Sequence, residues 1–395
     1  MLSWDFPPRS TGGIAAQVSG LSTALAMAGH EVVVLTIAER PGELDADPPR
    51  RVRVVRALAD LPWLPPVEAV TRVASANHAV VKAGSRFVGE LEGWRPDVVH
   101  GHDWGLGWAA DSLATRYNVP FVLTMHGTER VRHGGQLPLG HPTDINSIEW
   151  WLAFEADRII SPTRFIVEQL ITGFELAAEH VVHIPNGIDP DIWRPVGGLG
   201  VPTSPRPPLV VAWGRVQYEK GFQVLARAIH ALRGRVPDVH GVIAGRGSYL
   251  PELQTQIDVE GVSDLVDLPG FLNDDELRQL AHRAGCVVIP SLYEPFGIVA
   301  LEALAAGTPL IVARTGGLAE LVAGTNAGVT FEPGNPDDLA DAIAQVLTNH
   351  DLATILVANA KDLVERKYAW GAIARATSDV YAEAVAAGRG RPSLR

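Results

Sequence analysis

Two glutamates eight residues apart, Glu294 and Glu302, flank a Pro-Phe-Gly turn inside the apolar stretch from Cys286 to Val322. At that spacing one carboxylate can meet a sugar ring and the other the far end of an extended ligand. A second charged pair, Arg215 and Lys220, lies in a loop bounded by Gly214 and Gly221. Two cations at the C-terminal end of a strand are placed to hold a diphosphate and to stabilise it as charge develops on departure. Two solvated charges are the plain alternative. His126 follows the buried run Val119 to Met125, and Asp103 and Trp104 follow Asp97 to His100. In open parallel sheets ligands bind outside the carboxyl ends of strands, where these three residues stand.

The elements that must position these groups repeat one pattern. Cys286 to Pro290 is a short β-branched run that reads as a buried parallel strand, and Ile298 to Ala306 has helical periodicity. The loop between them, Ser291 to Gly297, presents the first N–H groups of that helix to an anion. Leu310 to Ala313 reads as the next strand, with Gly316-Gly317 opening a helix at Leu318. Upstream, Leu209 to Trp213, Val239 to Ala244 and Val266 to Leu268 read as strands, and Phe222 to Leu232, Asp274 to Arg283 and Pro336 to Leu347 as helices.

The first half alternates in the same way. Trp4 to Pro8, a loop with Gly12-Gly13, and a helix from Gln17 to Ala28 make a strand, glycine loop and helix. Such a loop lets the backbone approach a ligand, or is simply a turn. Strands are predicted at 31–37, 97–100, 119–125, 158–161 and 181–185, and helices at 67–92, 144–157 and 164–172. The loop from Arg130 to Thr143 is long and glycine-rich, a candidate mobile lid. Trp193 to Pro208 is rich in proline and glycine with little charge, so the domain boundary is expected there. We expect an N-terminal domain over 1–193, a linker over 194–208, a second domain over 209–368, and a closing helix over 369–388. The expected fold is α/β, two Rossmann-like domains facing a central cleft.

Composition removes several classes of function. No run in the 395 residues approaches the ~20 apolar residues of a membrane helix, and the start lacks a basic segment followed by an apolar one, so a cytoplasmic enzyme is expected. The single cysteine, Cys286, excludes an internal disulfide and reads as a core residue. A net charge of -12 argues against a nucleic-acid partner. His100, His102 and Asp103 could ligate a metal, but too few partners accompany them. Asp45-Ala-Asp47 sits among prolines and reads as solvated acid, and Asp189-Pro-Asp191 as a proline turn. Gly245-Arg-Gly247 lacks the third glycine of a dinucleotide fingerprint.

The stretch Glu294-Pro-Phe-Gly-Ile-Val-Ala-Leu-Glu302, then Gly307-Thr-Pro309 and Gly316-Gly317, resembles the Glu-x7-Glu signature of retaining family 4 glycosyltransferases of the GT-B fold. Trp4-Asp-Phe-Pro-Pro with Gly12-Gly13, His102-Asp-Trp104, His126-Gly-Thr-Glu129, Asn186-Gly-Ile-Asp189 and Gly214-Arg215 with Lys220-Gly221 also match, so the resemblance spans almost the whole chain. It departs at the start: only Met1 to Ser3 stand where the family has a longer first strand, so either the true start lies upstream or the strand is shortened.

Within the family these segments look most like the glycogen-synthase-like α-1,4-glucosyltransferases, the branch with the elongating enzyme of actinobacterial methylglucose lipopolysaccharides. The resemblance implies transfer of glucose from UDP- or ADP-glucose to an α-glucan or oligosaccharide with retained configuration. No metal or other cofactor is implied, since the nucleotide-sugar is a substrate. It gives His126, Arg215, Lys220 and Glu294 the catalytic roles. Gly12, Gly13, Gly297, Ile298, Val299 and Glu302 would contact the donor, with Glu302 on the ribose, and Asp103 and Trp104 the acceptor. No carboxylate is placed as a covalent nucleophile, so front-face displacement is expected. A family member with a small acceptor, such as a sugar phosphate, an inositol or a lipid-linked sugar, is the alternative. A sugar-nucleotide epimerase and a non-catalytic nucleotide-sugar binder are further ones.

Overall fold

The computed structural model describes residues 1–8, 13–43, 49, 51–58, 69–134, 136–195 and 206–388. It divides into two compact units, Met1–Gly187 with the chain from Trp370 onward, and Ile188–Ala369. The division falls at Gly187/Ile188, ahead of the segment 194–208, most of which (196–205) lies outside the described residues. So do Gly12 and Asp45–Asp47.

The first unit is built on a seven-stranded sheet in the order β3-β2-β1-β4-β5-β6-β7. Its strands are β1 (Leu2–Ser3), β2 (Val32–Ala38), β3 (Val52–Leu58), β4 (Val99–His102), β5 (Phe121–Thr124), β6 (Arg158–Ser161) and β7 (Val181–His183). Every pairing is parallel. The connecting helices are α1 (Gly13–Met27), α2 (Ala69–Glu90), α3 (Gly107–Tyr117), α4 (Glu129–Arg132), α5 (His141–Glu155) and α6 (Arg164–Gly173). Alternate residues of one strand feed separate cores, Phe121 and Leu123 on one face and Val122 on the other. A parallel strand covered by helices on both faces therefore has no polar side, and reads in sequence as an unbroken apolar run.

The second unit repeats the plan with a six-stranded sheet in the order β10-β9-β8-β11-β12-β13. After the short helix α7 (Pro190–Trp193), its strands are β8 (Leu209–Trp213), β9 (His240–Ala244), β10 (Val266–Gly270), β11 (Cys286–Ile289), β12 (Leu310–Ala313) and β13 (Val329–Phe331). Its helices are α8 (Phe222–Leu232), α9 (Leu250–Val259), α10 (Asp274–Arg283), α11 (Ile298–Ala306), α12 (Gly316–Val322), α13 (Pro336–Thr348) and α14 (His350–Leu363). Cys286 lies fully buried in β11, where burial pushes its thiol up to about 12 and removes it as a nucleophile.

The last helix, α15 (Trp370–Ala387), belongs to the first unit. Two glycines make room for its first residue: a Cβ on Gly20 or Gly187 would come within 2.2 Å or 2.5 Å of the Trp370 indole. Gln17 of α1 grips both backbone groups of Gly187, its Nε2 donating to the carbonyl at 3.0 Å and its Oε1 accepting from the N–H at 2.9 Å. Further along α15, the Tyr381 hydroxyl meets Nδ1 of His100 at 2.6 Å.

Several elements depart from the sequence expectations. Strand β3 occupies Val52–Leu58, where no strand is predicted, because its arginines Arg53 and Arg56 interrupt the apolar pattern. Helices α3, α9 and α14 and strand β13 are likewise unpredicted. The segment proposed as a lid, Arg130 to Thr143, is partly helical, since α4 runs to Arg132 and α5 begins at His141. Among the described residues no helix is long and apolar enough to cross a membrane.

The loops after β8 and β11 touch backbone to backbone. Gly221 has φ 68°, and a Cβ there would stand 1.9 Å from the Pro290 carbonyl oxygen. Gly234 has φ 81° with open space around it. Urea denaturation of Gly234→Ala should therefore show a loss of about 1 kcal/mol from the left-handed backbone alone. Gly221→Ala, which must also displace Pro290, should lose about 3 kcal/mol.

Candidate active site

In the first unit the site residues gather where β4 and β5 end. Asp103 follows β4 with φ 53°, a left-handed conformation that Asp tolerates better than most residues, and its N–H donates to the Thr124 carbonyl at 2.8 Å. That geometry turns its carboxylate back along the neighbouring strand end, where Oδ1 accepts the His126 N–H at 2.8 Å. One oxygen of the group expected to hold an acceptor is thus fixing the backbone of His126. Glu149, on α5 and almost fully buried, accepts the Glu129 N–H with both oxygens, at 3.1 and 2.9 Å. Burial, with Asp103 and Glu129 nearby, pushes its carboxyl up to about 8. The segment from His126 to Glu129 is pinned at both ends by side chains of other elements.

His126 is half-buried, and its ring stacks on that of the buried His102, with centroids 5.5 Å apart and planes 20° from parallel. Nδ1 of His102 lies 3.3 Å from Nε2 of His126. The His102 ring is in turn 4.3 Å from that of His100, whose two nitrogens are engaged by Tyr381 and, at 2.7 Å, by Thr124 Oγ1. The ring nitrogens of His100 are thus spent on hydroxyls. Among the described residues no three His, Cys, Asp or Glu side chains converge as a metal would require. Burial holds all three imidazoles below their usual range, and hence neutral near pH 7. Trp104 is half-buried and packs against the core of its unit, while Gly13 is exposed as the first residue of α1.

In the second unit three loops lock together at the strand ends. The Glu219 carbonyl accepts the Leu292 N–H at 2.8 Å, and the Glu294 carbonyl accepts the Gly317 N–H at 3.1 Å. Thr315 Oγ1 donates to the Leu292 carbonyl at 3.3 Å. Lys220 and Glu294, 74 positions apart, are brought into an ion pair with Nζ 2.6 Å from Oε2, and Ser291 Oγ donates to the same oxygen at 3.4 Å. The sequence reading assigned these two side chains to different parts of a ligand; the structure joins them. Arg215 is exposed, and its guanidinium makes no ion pair among the described residues.

Gly297, with φ 92°, caps α11 where a Cβ would stand 2.4 Å from Leu318 Cδ2. The Ala300 N–H turns back to the Gly297 carbonyl at 2.9 Å, while the N–H groups of Ile298 and Val299 open the helix with no acceptor inside it. Glu302, one turn along α11, accepts the Trp213 indole N–H at 2.8 Å. Burial pushes its carboxyl up to about 7.

Two glycines set aside in the sequence belong to this construction. A Cβ on Gly245 would stand 1.8 Å from the Gly214 carbonyl oxygen, and one on Gly247 would stand 2.0 Å from that of Val216. The Val216 N–H also donates to the Arg246 carbonyl at 2.9 Å. The loop after β9 is therefore stacked on the loop that carries Arg215. Their spacing, Gly-x-Gly directly after a strand, was a visible signal of close approach. Glu149 gave none, since a glutamate inside a helix is ordinary.

Residues 11–192 match the family described as Glycosyltransferase Family 4, and residues 201–363 the one described as Glycosyl transferases group 1. A glycogen synthase of Mycobacterium tuberculosis is 36% identical over 398 residues, covering 96% of this chain and 93% of that protein. A D-inositol 3-phosphate glycosyltransferase of Xylanimonas cellulosilytica is 31% identical, covering 94% of this chain and 92% of that one. Among solved structures, a sucrose-phosphate synthase from Thermosynechococcus elongatus superposes with a TM-score of 0.81 at 24% identity, covering 98% of both chains. With strand-helix alternation in two parallel-sheet units and these relatives along its length, the chain belongs to the family 4 glycosyltransferases of the GT-B fold, a nucleotide-sugar-dependent transferase.

Proposed function

We propose that the protein is a retaining glucosyltransferase that moves glucose from UDP- or ADP-glucose to the non-reducing end of an α-1,4-glucan, in the cytoplasm and without a metal. The observation that carries this is the group of three interlocked loops in the second unit, where Lys220 pairs with Glu294 just ahead of the open N–H groups of α11, and Arg215 lies exposed on the same loop as Lys220. Cations and a helix N-terminus of this kind take up charge that a divalent ion takes elsewhere. The name of the Mycobacterium tuberculosis relative supports glucan as the acceptor.

In this reading the bond from glucose C1 to the diphosphate oxygen breaks as the bond from C1 to an acceptor hydroxyl oxygen forms on the same face. The hydroxyl proton passes to the departing phosphate. Arg215 and Lys220 stabilise the growing charge. Lys220 also holds Glu294 in place to accept from the glucose hydroxyls, so the pair acts as one unit. In the first unit His126 meets the sugar, and Asp103 orients both His126 and the acceptor. The name of the Xylanimonas relative favours a second reading, the same transfer to a small phosphorylated polyol.

Purified protein with EDTA, given either donor and a maltooligosaccharide, glucose 1-phosphate or D-inositol 3-phosphate, should build α-linked glucose ladders on the maltooligosaccharide alone, seen by mass spectrometry and proton NMR. A single addition to a phosphorylated acceptor would move the enzyme to the second reading. Lys220→Ala and Glu294→Ala should each lower kcat about a hundredfold or more; wild-type turnover in either removes its assignment.

Glu302 supplies a pH test. Its carboxyl is raised from 4.5 to about 7, so it passes from protonated to ionised as pH rises through 7. The ionised form is the better acceptor for two ribose hydroxyls. The donor KM should therefore fall between pH 6 and pH 8, and Glu302→Gln should abolish that slope.

A further inference from the structure

We propose that His102 is a positioning residue that holds His126 in the tautomer carrying its proton on Nδ1. This rests on the reading of His126 as the residue that meets the sugar. The two rings share one hydrogen bond, Nδ1 of His102 to Nε2 of His126 at 3.3 Å. Both are neutral near pH 7, so one of the two nitrogens bears the hydrogen and the other a lone pair.

The far side of His102 decides which. Its Nε2 is buried and has no hydrogen-bond partner among the described residues. If His126 were the donor, the proton of His102 would sit on that Nε2, leaving an N–H buried with nothing to accept it. If His102 donates from Nδ1, the orphaned atom is a bare nitrogen, and an unsatisfied acceptor is tolerated more often than a buried orphan N–H.

A cavity of about 20 Å³ lies beside the ring, large enough for one water. A buried water needs about three partners; besides the two imidazoles the polar side chains of the lining are Gln17, Thr124, Asn186 and Thr377, of which Gln17, Thr124 and Thr377 already hold hydrogen bonds. Gln17 spends both ends of its amide on Gly187. Thr377 Oγ1 donates to the Ile373 carbonyl at 2.9 Å, and Thr124 Oγ1 is paired with His100. The geometry favours His102 as the donor.

The consequence for chemistry is definite. With Nε2 occupied as an acceptor, His126 offers an N–H on its other side. It can donate to a sugar oxygen there, but it is not a base toward the ligand. Asp103 fixes the backbone of His126 and His102 fixes its ring, so its hydrogen-bond polarity is set before any substrate arrives.

Long-range proton–nitrogen correlation of the histidine side chains in 15N-labelled protein without substrate reads the tautomer directly. The His126 signals are assigned by their loss in His126→Gln. The expected spectrum has the proton of His126 on Nδ1 and a bare Nε2. In His102→Leu that preference should be lost and kcat should fall about tenfold. His102→Asn, whose amide can donate from nearly the same place, should restore both in part. A wild-type spectrum with the His126 proton on Nε2 overturns the proposal, as does an unchanged tautomer in a folded His102→Leu. The wild-type spectrum decides the matter even where His102→Leu fails to fold. A confirmed tautomer with full turnover in His126→Gln would instead overturn the catalytic reading of His126 and leave the tautomer assignment standing.

Discussion

Backbone packed on backbone is the constraint from which the second unit's site follows. Gly221 against Pro290 and Gly245 against Gly214 approach so closely that no side chain fits between them. The adjacent parallel strands β9, β8 and β11 therefore end in loops that behave as one body. Hydrogen bonds across those loops then fix where Lys220 and Glu294 stand. A half-buried ion pair is of little use for stability by itself, because desolvation offsets most of the attraction. Its value here is positional: it ties a cation beside a helix N-terminus to a carboxylate on another loop.

The first unit reaches the same end by different means. There, side chains hold the segment after β5. Two carboxylates from β4 and α5 take its backbone N–H groups, and a row of neutral imidazoles fixes the ring of His126. Keeping those rings neutral in the interior avoids the large desolvation cost of buried charge. Glu149 beside them is kept largely protonated near pH 7 by the same burial that raises its carboxyl to about 8. The three imidazoles and Glu149 thus add almost no buried charge to the site.

What the sequence disclosed follows the physics of burial. Strands such as β8, β11 and β12, apolar on both faces and closed by glycine or proline turns, were legible to the residue or nearly so. Strand β3 was not, because Arg53 and Arg56 interrupt the apolar run of an edge strand, and β13 is only three residues long. The residue types at the site were legible as motifs, while their partnerships were not. Nothing in the spacing of Lys220 and Glu294, or of His100 and Tyr381, which are 281 positions apart, announces a contact. Gly245 and Gly247 were visible, but the missing third glycine argued only against a dinucleotide and carried nothing about close packing.

The helix α15 is separated in the chain from the rest of its own unit by the whole of the second one. During synthesis, the first unit's sheet emerges long before the residues that complete it. Until Trp370 enters its glycine seat and Tyr381 reaches His100, one face of that sheet lacks part of its cover. The second unit is continuous in sequence and has no such wait, so it can reach its native core first even though it is made later. A chain ending before residue 370 would then hold a complete second unit and an incomplete first one, which makes the last helix the step that commits the molecule to its folded form.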